Sequence, residues 1–256
     1  MRRPLIAGNW KMNLDLKGSV ELVKGLLGGL QNGEQLPDIL VAPPYTALTV
    51  VAETIKGGPI MLGAQNLHWA PNGAYTGELS AAQIKDAGCA AVIIGHSERR
   101  QYFGETDETV NKRLGAALKE GLLPIVCIGE TLDERESQKT WRVLETQVKG
   151  ALAGYAAAAL ATLVIAYEPV WAIGTGKTAT PEQAQEAHKF IRQQLAKLYD
   201  QNFADSVRIL YGGSVKSDNV DSLMANPDLD GALVGGASLK VEGFLRIIKF
   251  QGAAVS

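Results

Sequence analysis

At 256 residues, with 46% hydrophobic and 20% charged residues, the chain has the composition of an ordinary folded protein and not of a disordered one. The length suits one hydrophobic core and is the size of a single eightfold barrel, so one domain over residues 1–256 is expected. A formal net charge of −2 without a basic block excludes an electrostatic footprint for nucleic acid or an anionic membrane.

Eight short apolar runs, rich in β-branched residues or Leu, recur in chain order: Leu5–Asn9, Ile39–Ala42, Met61–Ala64, Ala91–Ile94, Leu123–Ile128, Val164–Glu168, Val207–Tyr211 and Gly231–Val234. Each pair is separated by room for a loop and a helix, too much for a hairpin, so the strands are expected to be parallel. Helical spacing of apolar residues marks Ser19–Leu30, Ser80–Ala87, Thr106–Glu120, Glu134–Ala151, Pro181–Tyr199 and Ser217–Met224. Several of these open on Ser, Thr or Asp, and Pro181 after Thr180 is a good first-turn proline. No strand runs into a Gly-x-Gly-x-x-Gly turn, which favours a closed (β/α)8 TIM barrel, class α/β, over an open doubly wound sheet.

Met1-Arg2-Arg3-Pro4 is followed by too short an apolar stretch for a secretory leader, and no run reaches the roughly 20 apolar residues of a membrane helix. Cys89 and Cys127 stand far apart in no redox or metal spacing, so reduced thiols and a cytoplasmic location are expected. His68, His96 and His188 are too scattered to suggest a metal site, and neither metal nor organic cofactor is implied.

Polar and Gly-rich segments gather where strands end: Asn9-Trp10-Lys11, Gly95-His96-Ser97-Glu98, Glu168-Pro169, Gly212-Gly213-Ser214 and Gly235-Gly236. In a barrel these ends form one mouth. A carboxylate at a strand end is open to desolvation, which raises its pKa towards the range of a general base, so Glu168 is the leading candidate. The segments after strands seven and eight, with a short helix at Ala237-Ser238-Leu239, suit a phosphate held by backbone N–H groups, with Gly174 from the loop after strand six as a further donor.

The runs Asn9-Trp10-Lys11-Met12-Asn13, Gly95-His96-Ser97-Glu98-Arg99-Arg100, Cys127-Ile128-Gly129-Glu130-Thr131, Ala166 to Gly176 and Tyr211-Gly212-Gly213-Ser214-Val215 resemble triosephosphate isomerase, in the family's order and along essentially the whole chain. The resemblance implies an isomerase that interconverts dihydroxyacetone phosphate and D-glyceraldehyde 3-phosphate, in glycolysis and gluconeogenesis, with protein groups alone. By that resemblance Glu168 is the base, His96 a neutral proton donor to the substrate oxygens, and Lys11 and Asn9 hold the substrate. Glu98 places Lys11, although an ion pair with Arg99 competes for it. Gly174, Ser214, Gly235 and Gly236 bind the phosphate.

Pro169-Val170-Trp171 and Lys177-Thr178-Ala179 resemble the hinges of a lid that keeps water from the intermediate. Thr76, in the long loop Asn66 to Glu78, is expected to contact a partner subunit in a homodimer. Nucleic acid and membrane partners are not expected. The rival readings are a Schiff-base aldolase, which needs a lysine inside the barrel, and a phosphosugar-binding barrel without catalysis.

Overall fold

The computed structural model describes residues 2–30, 35–173 and 178–251. Its eight strands are β1 (Leu5–Asn9), β2 (Asp38–Ala42), β3 (Ile60–Ala64), β4 (Ala91–Ile94), β5 (Leu123–Ile128), β6 (Val164–Tyr167), β7 (Arg208–Tyr211) and β8 (Gly231–Val234). All neighbours pair in parallel, and β8 returns to β1 to close the barrel. The expected strand limits therefore stand to within one residue.

Why the strands read as unbroken apolar runs is visible in how their alternate residues divide. Leu5, Ala7, Leu40, Ala91, Ile93, Cys127 and their counterparts fill the barrel interior, whereas Ile6, Val41, Val92, Val126 and Ile165 join the larger core beneath the helices. Both faces are buried, so nothing polar alternates with the apolar residues. The same period of two carries Asn9 inward after Leu5 and Ala7, and Glu168 inward after Val164 and Ala166.

Among the described residues eleven helices wrap the barrel: α1 (Leu16–Gly29), α2 (Leu48–Ile55), α3 (Ala81–Asp86), α4 (Ser97–Phe103), α5 (Asp107–Lys119), α6 (Leu132–Glu136), α7 (Thr140–Leu152), α8 (Pro181–Leu198), α9 (Gln201–Ser206), α10 (Val220–Met224) and α11 (Val241–Ile248). The capping residues behave as their chemistry requires. Ser80, Thr106 and Thr180 each close a reciprocal capping box, and Asp15 caps α1, which begins at Leu16, three residues before the expected Ser19. The expected helix Glu134–Ala151 divides into α6 and α7. Thr131 caps α6, and Gln138 takes a left-handed φ of 56° between the two. Helices α2, α4, α9 and α11 were not expected from the spacing; α4 buries only Ser97, so it has almost no apolar periodicity to read.

A fully buried histidine lies outside the barrel wall. On α8, His188 has no exposed surface; its Nδ1 is 3.2 Å from the Asp228 carbonyl, and its ring meets the edge of Tyr167. Burial drives its pKa down to about 3. The folded chain thus holds His188 neutral while the unfolded chain protonates it below about pH 6.5, so stability is lost as the pH falls from there towards 3. Denaturant titrations between these limits should show His188→Gln losing less stability with acid than the parent, by roughly 1.4 kcal/mol per pH unit for one proton. Parallel pH profiles would exclude the histidine as the cause.

Candidate active site

Glu168 follows β6 directly, and its backbone N–H extends the ladder by donating to the Ile128 carbonyl at 2.7 Å. The side chain is 1% exposed. Oε2 accepts the Ser97 N–H at 2.8 Å, and Oε1 lies 2.8 Å from His96 Nε2. Burial alone would raise this carboxyl, as expected from the sequence. Here His96, the Ser97 N–H and Lys11 together outweigh burial and hold it below its usual value. The expected upward shift is thereby corrected: Glu168 stays a carboxylate, ready to accept a proton.

His96 owes its orientation to a turn and a helix start. Gly95, at φ 70°, ends β4, and a β-carbon there would run into Val110. His96 then caps α4, its Nδ1 accepting the Glu98 N–H at 3.2 Å. An accepting Nδ1 carries no proton, which leaves Nε2 as the protonated atom, pointing at the site. Burial lowers the pKa of the imidazole and the Glu168 carboxylate raises it by more. A proton added at Nδ1 would still cost the bond to the start of α4.

Lys11 stands at φ 53°, a conformation a lysine adopts only when its surroundings hold it. Asn9 Oδ1 accepts its N–H at 3.0 Å, and Gln65 Nε2 donates to its carbonyl at 2.8 Å. Its ammonium bonds Glu98 Oε1 at 2.5 Å, and Glu98 Oε2 is 3.6 Å from His96 Nδ1. The competing pair of Glu98 with Arg99 is not formed, because Arg99 bonds Glu105 instead. With Oδ1 occupied, the Asn9 amide nitrogen is the group left to donate to a ligand.

Two Gly-rich segments close the circle. The Gly212 N–H donates to the Tyr167 carbonyl, and a β-carbon on Gly212 would stand 2.9 Å from Glu168 Cγ. A β-carbon on Gly235 would stand 3.5 Å from Lys11 Cε. Gly236–Leu239 is a single 3-10 turn, pinned by the Ser238 hydroxyl to the Gly235 carbonyl, where a short helix was expected. Ser214 is half-buried beyond β7, with its carbonyl bonded to Asn219.

Asn9, Lys11, Glu98, His96 and Glu168 thus form one connected chain of contacts, with Gly235 beside it. Among the described residues no hydrogen bond joins Gly236 or Ser214 to this chain of contacts. Gly174 lies outside the described residues, as does the hinge residue Lys177. Thr76 is exposed at the tip of its loop and meets none of the others. That loop is braced from within: His68 stacks on Trp69 and Tyr75, and the His68 N–H donates to Leu79.

Sequence reasoning passed over several supporting groups. The Ser97 N–H lay inside a quoted motif but was given no role. Glu130 is fully buried and binds the Tyr167 hydroxyl, the Trp171 indole N–H and Arg135 through one oxygen. Among the described residues no group of three or more His, Cys, Asp or Glu is arranged to hold a metal, and no helix is long and apolar enough to cross a membrane.

A family model described as triosephosphate isomerase matches residues 4–251. Triosephosphate isomerases of Geotalea uraniireducens and Endomicrobium trichonymphae are each 56% identical to this chain, over 98% of it and 100% of the relative. The crystal structure of triosephosphate isomerase from Bartonella henselae superposes with a TM-score of 0.86 at 40% identity, covering 96% of this chain and 97% of the other. Barrel, mouth and matches agree: the chain belongs to the triosephosphate isomerase family.

Proposed function

We infer that the site performs the family's reaction with the residues just described; the chain interconverts dihydroxyacetone phosphate and D-glyceraldehyde 3-phosphate. The observation that carries the assignment of roles is a buried carboxylate beside an imidazole whose Nδ1 accepts a backbone N–H, together with a paired ammonium, all at one end of the barrel. Glu168 takes the proton from C1 of dihydroxyacetone phosphate and returns it at C2. The His96 Nε2–H donates to the two substrate oxygens in turn as charge develops on them. A glutamate base with a neutral histidine is this family's known pattern and is not a new result here.

Lys11 neutralises the enediolate, Asn9 donates through its amide nitrogen, and Glu98 holds Lys11 in place. Backbone N–H groups at Gly174, Ser214, Gly235 and Gly236 take the phosphate. No step needs a resident cofactor. A Schiff-base aldolase would need a lysine inside the barrel, and none of the eight strands carries one.

Replacing Lys11 by Met tests the electrostatic part of this reading. In an assay that couples the aldehyde product to a dehydrogenase, kcat/KM should fall by about 100-fold or more, the usual cost of losing one preorganised donor. Unchanged kinetics would remove Lys11 from the site.

We propose further that the chain works as a symmetric homodimer in the cytoplasm. Met12, Tyr102 and Phe103 are 96%, 69% and 67% exposed, with Tyr45 and Tyr75 also open, a set of large apolar groups that a second subunit would cover, with Thr76 at the contact. Cys89 and Cys127 are both free and buried, in keeping with a reducing compartment. Light scattering at micromolar concentration should give twice the 27.3 kDa of one chain. A monomer would overturn the dimer.

A further inference from the structure

We propose that Gln147, on α7, is a positioning residue for the base; this rests on the reading of Glu168 as that base. The segment after β5 runs behind Glu168, and the two touch at Gly129. A β-carbon on Gly129 would overlap the Glu168 carbonyl oxygen, so only glycine lets the backbones come this close. On either side, the Ile128 carbonyl accepts the Glu168 N–H at 2.7 Å and the Glu130 carbonyl accepts the Val170 N–H at 3.0 Å. The backbone that carries the carboxylate is therefore laid against residues 128–130.

What keeps those residues in place is a side chain. The Gly129 N–H donates to Gln147 Oε1 at 2.7 Å, and Gln147 Nε2 donates to the Gly129 carbonyl at 3.1 Å. One side-chain amide thus pairs with both backbone groups of a single residue, as a neighbouring strand would. Beyond Ile128 the strand has ended, so Gln147 supplies the partner that the sheet no longer offers. It is half-buried and lines a cavity of about 890 Å³ shared with Ile128, Gly129, Glu168, Val170 and Trp171.

That cavity decides what losing Gln147 would do. Water entering it can satisfy the freed Gly129 groups, so the fold survives while the backstop of the base loosens. Catalysis is sensitive to such loosening, because proton transfer needs the carboxylate within hydrogen-bond reach of the substrate carbon's proton. Phosphate binding, made by other segments, is unaffected.

The test uses full-length Gln147→Leu and Gln147→Glu, with Glu168→Gln as control, in the coupled triose phosphate assay. Gln147→Leu should lower kcat by about tenfold or more while KM stays within about twofold. Gln147→Glu carries an internal switch. As a carboxylate it sets charge against the Gly129 carbonyl, and as a carboxylic acid it donates there as Nε2 does. Its kcat relative to the parent should therefore rise as the pH is lowered from about 8 to about 5, where a half-buried glutamic acid regains its proton. A merely structural role would not produce that pH-dependent rescue.

If Gln147→Leu fails to fold, the pH ratio of Gln147→Glu decides. A flat ratio, or a loss seen in KM alone, overturns the proposal. Activity retained in Glu168→Gln would instead overturn the assignment of the base. Loss in that control with a flat ratio for Gln147→Glu refutes Gln147 and leaves Glu168 standing.

Discussion

Glu168→Gln should retain its fold and its KM and lose between about 100-fold and 10,000-fold in kcat, the range that a positioned general base contributes. The change is nearly isosteric, and the amide oxygen can still accept the Ser97 N–H that now meets Oε2. What disappears is basicity. The parent keeps Glu168 ionised although it is 1% exposed, because His96, the Ser97 N–H and Lys11 offset the cost of burying the charge. An amide carries no such cost, but with its oxygen on the Ser97 N–H its nitrogen faces the His96 Nε2–H, so the two effects oppose and the variant should melt close to the parent. The coupled assay and a thermal melt on the same sample check both halves. A kcat within about tenfold of the parent would remove Glu168 as the base.

Arg192→Ala should do the reverse, with a large loss of stability and normal turnover per folded molecule. Its guanidinium serves the opposite end of the barrel, before β7 and β8. Nε bonds Asp228 at 2.7 Å, Nη1 the carbonyls of Ala204 and Val207 at 2.6 and 3.0 Å, and Nη2 Asp230 at 2.7 Å and the Asp228 carbonyl at 3.3 Å. All five donors are used, in a side chain that is 8% exposed. Removing it takes a charged partner from two carboxylates and a donor from three carbonyl groups, and breaking a buried pair in this way costs about 3–5 kcal/mol.

Arg2 still bonds Asp230, and the Ile209 N–H still reaches it, so part of the network remains. Denaturant unfolding measures the loss, and the coupled assay below the melting range should give an unchanged kcat. A parallel fall in kcat would mean that this end of the barrel communicates with the mouth. A stability loss under about 1 kcal/mol would mean that water replaces the arginine.

Much of the barrel could be read from local pattern. Strands buried on both faces are continuous apolar runs, and Thr106 and Thr180 announce their helices three residues ahead of the partner that completes each capping box. Helix α11 was within reach of the same reasoning, since Val241, Phe244, Ile247 and Ile248 fall at helical spacing. Helix α4 was not, because it owes its place to His96 at its start and to packing, not to an apolar stripe. The break between α6 and α7 was equally hidden: a left-handed Gln138 has no local signature of the kind glycine provides.

By itself the sequence determined the eight strands and their parallel order and singled out Asn9, Lys11, His96, Glu98 and Glu168 as candidates, because these depend on residue type, spacing and motif. Tertiary structure alone decided how those groups are tuned. The pairing of Lys11 with Glu98, the accepting Nδ1 of His96, the Ser97 N–H on Glu168 and the amide of Gln147 on Gly129 each join residues whose angles and distances no local pattern encodes. A hydrogen bond depends on tenths of an ångström and on direction, and only the closed barrel sets both.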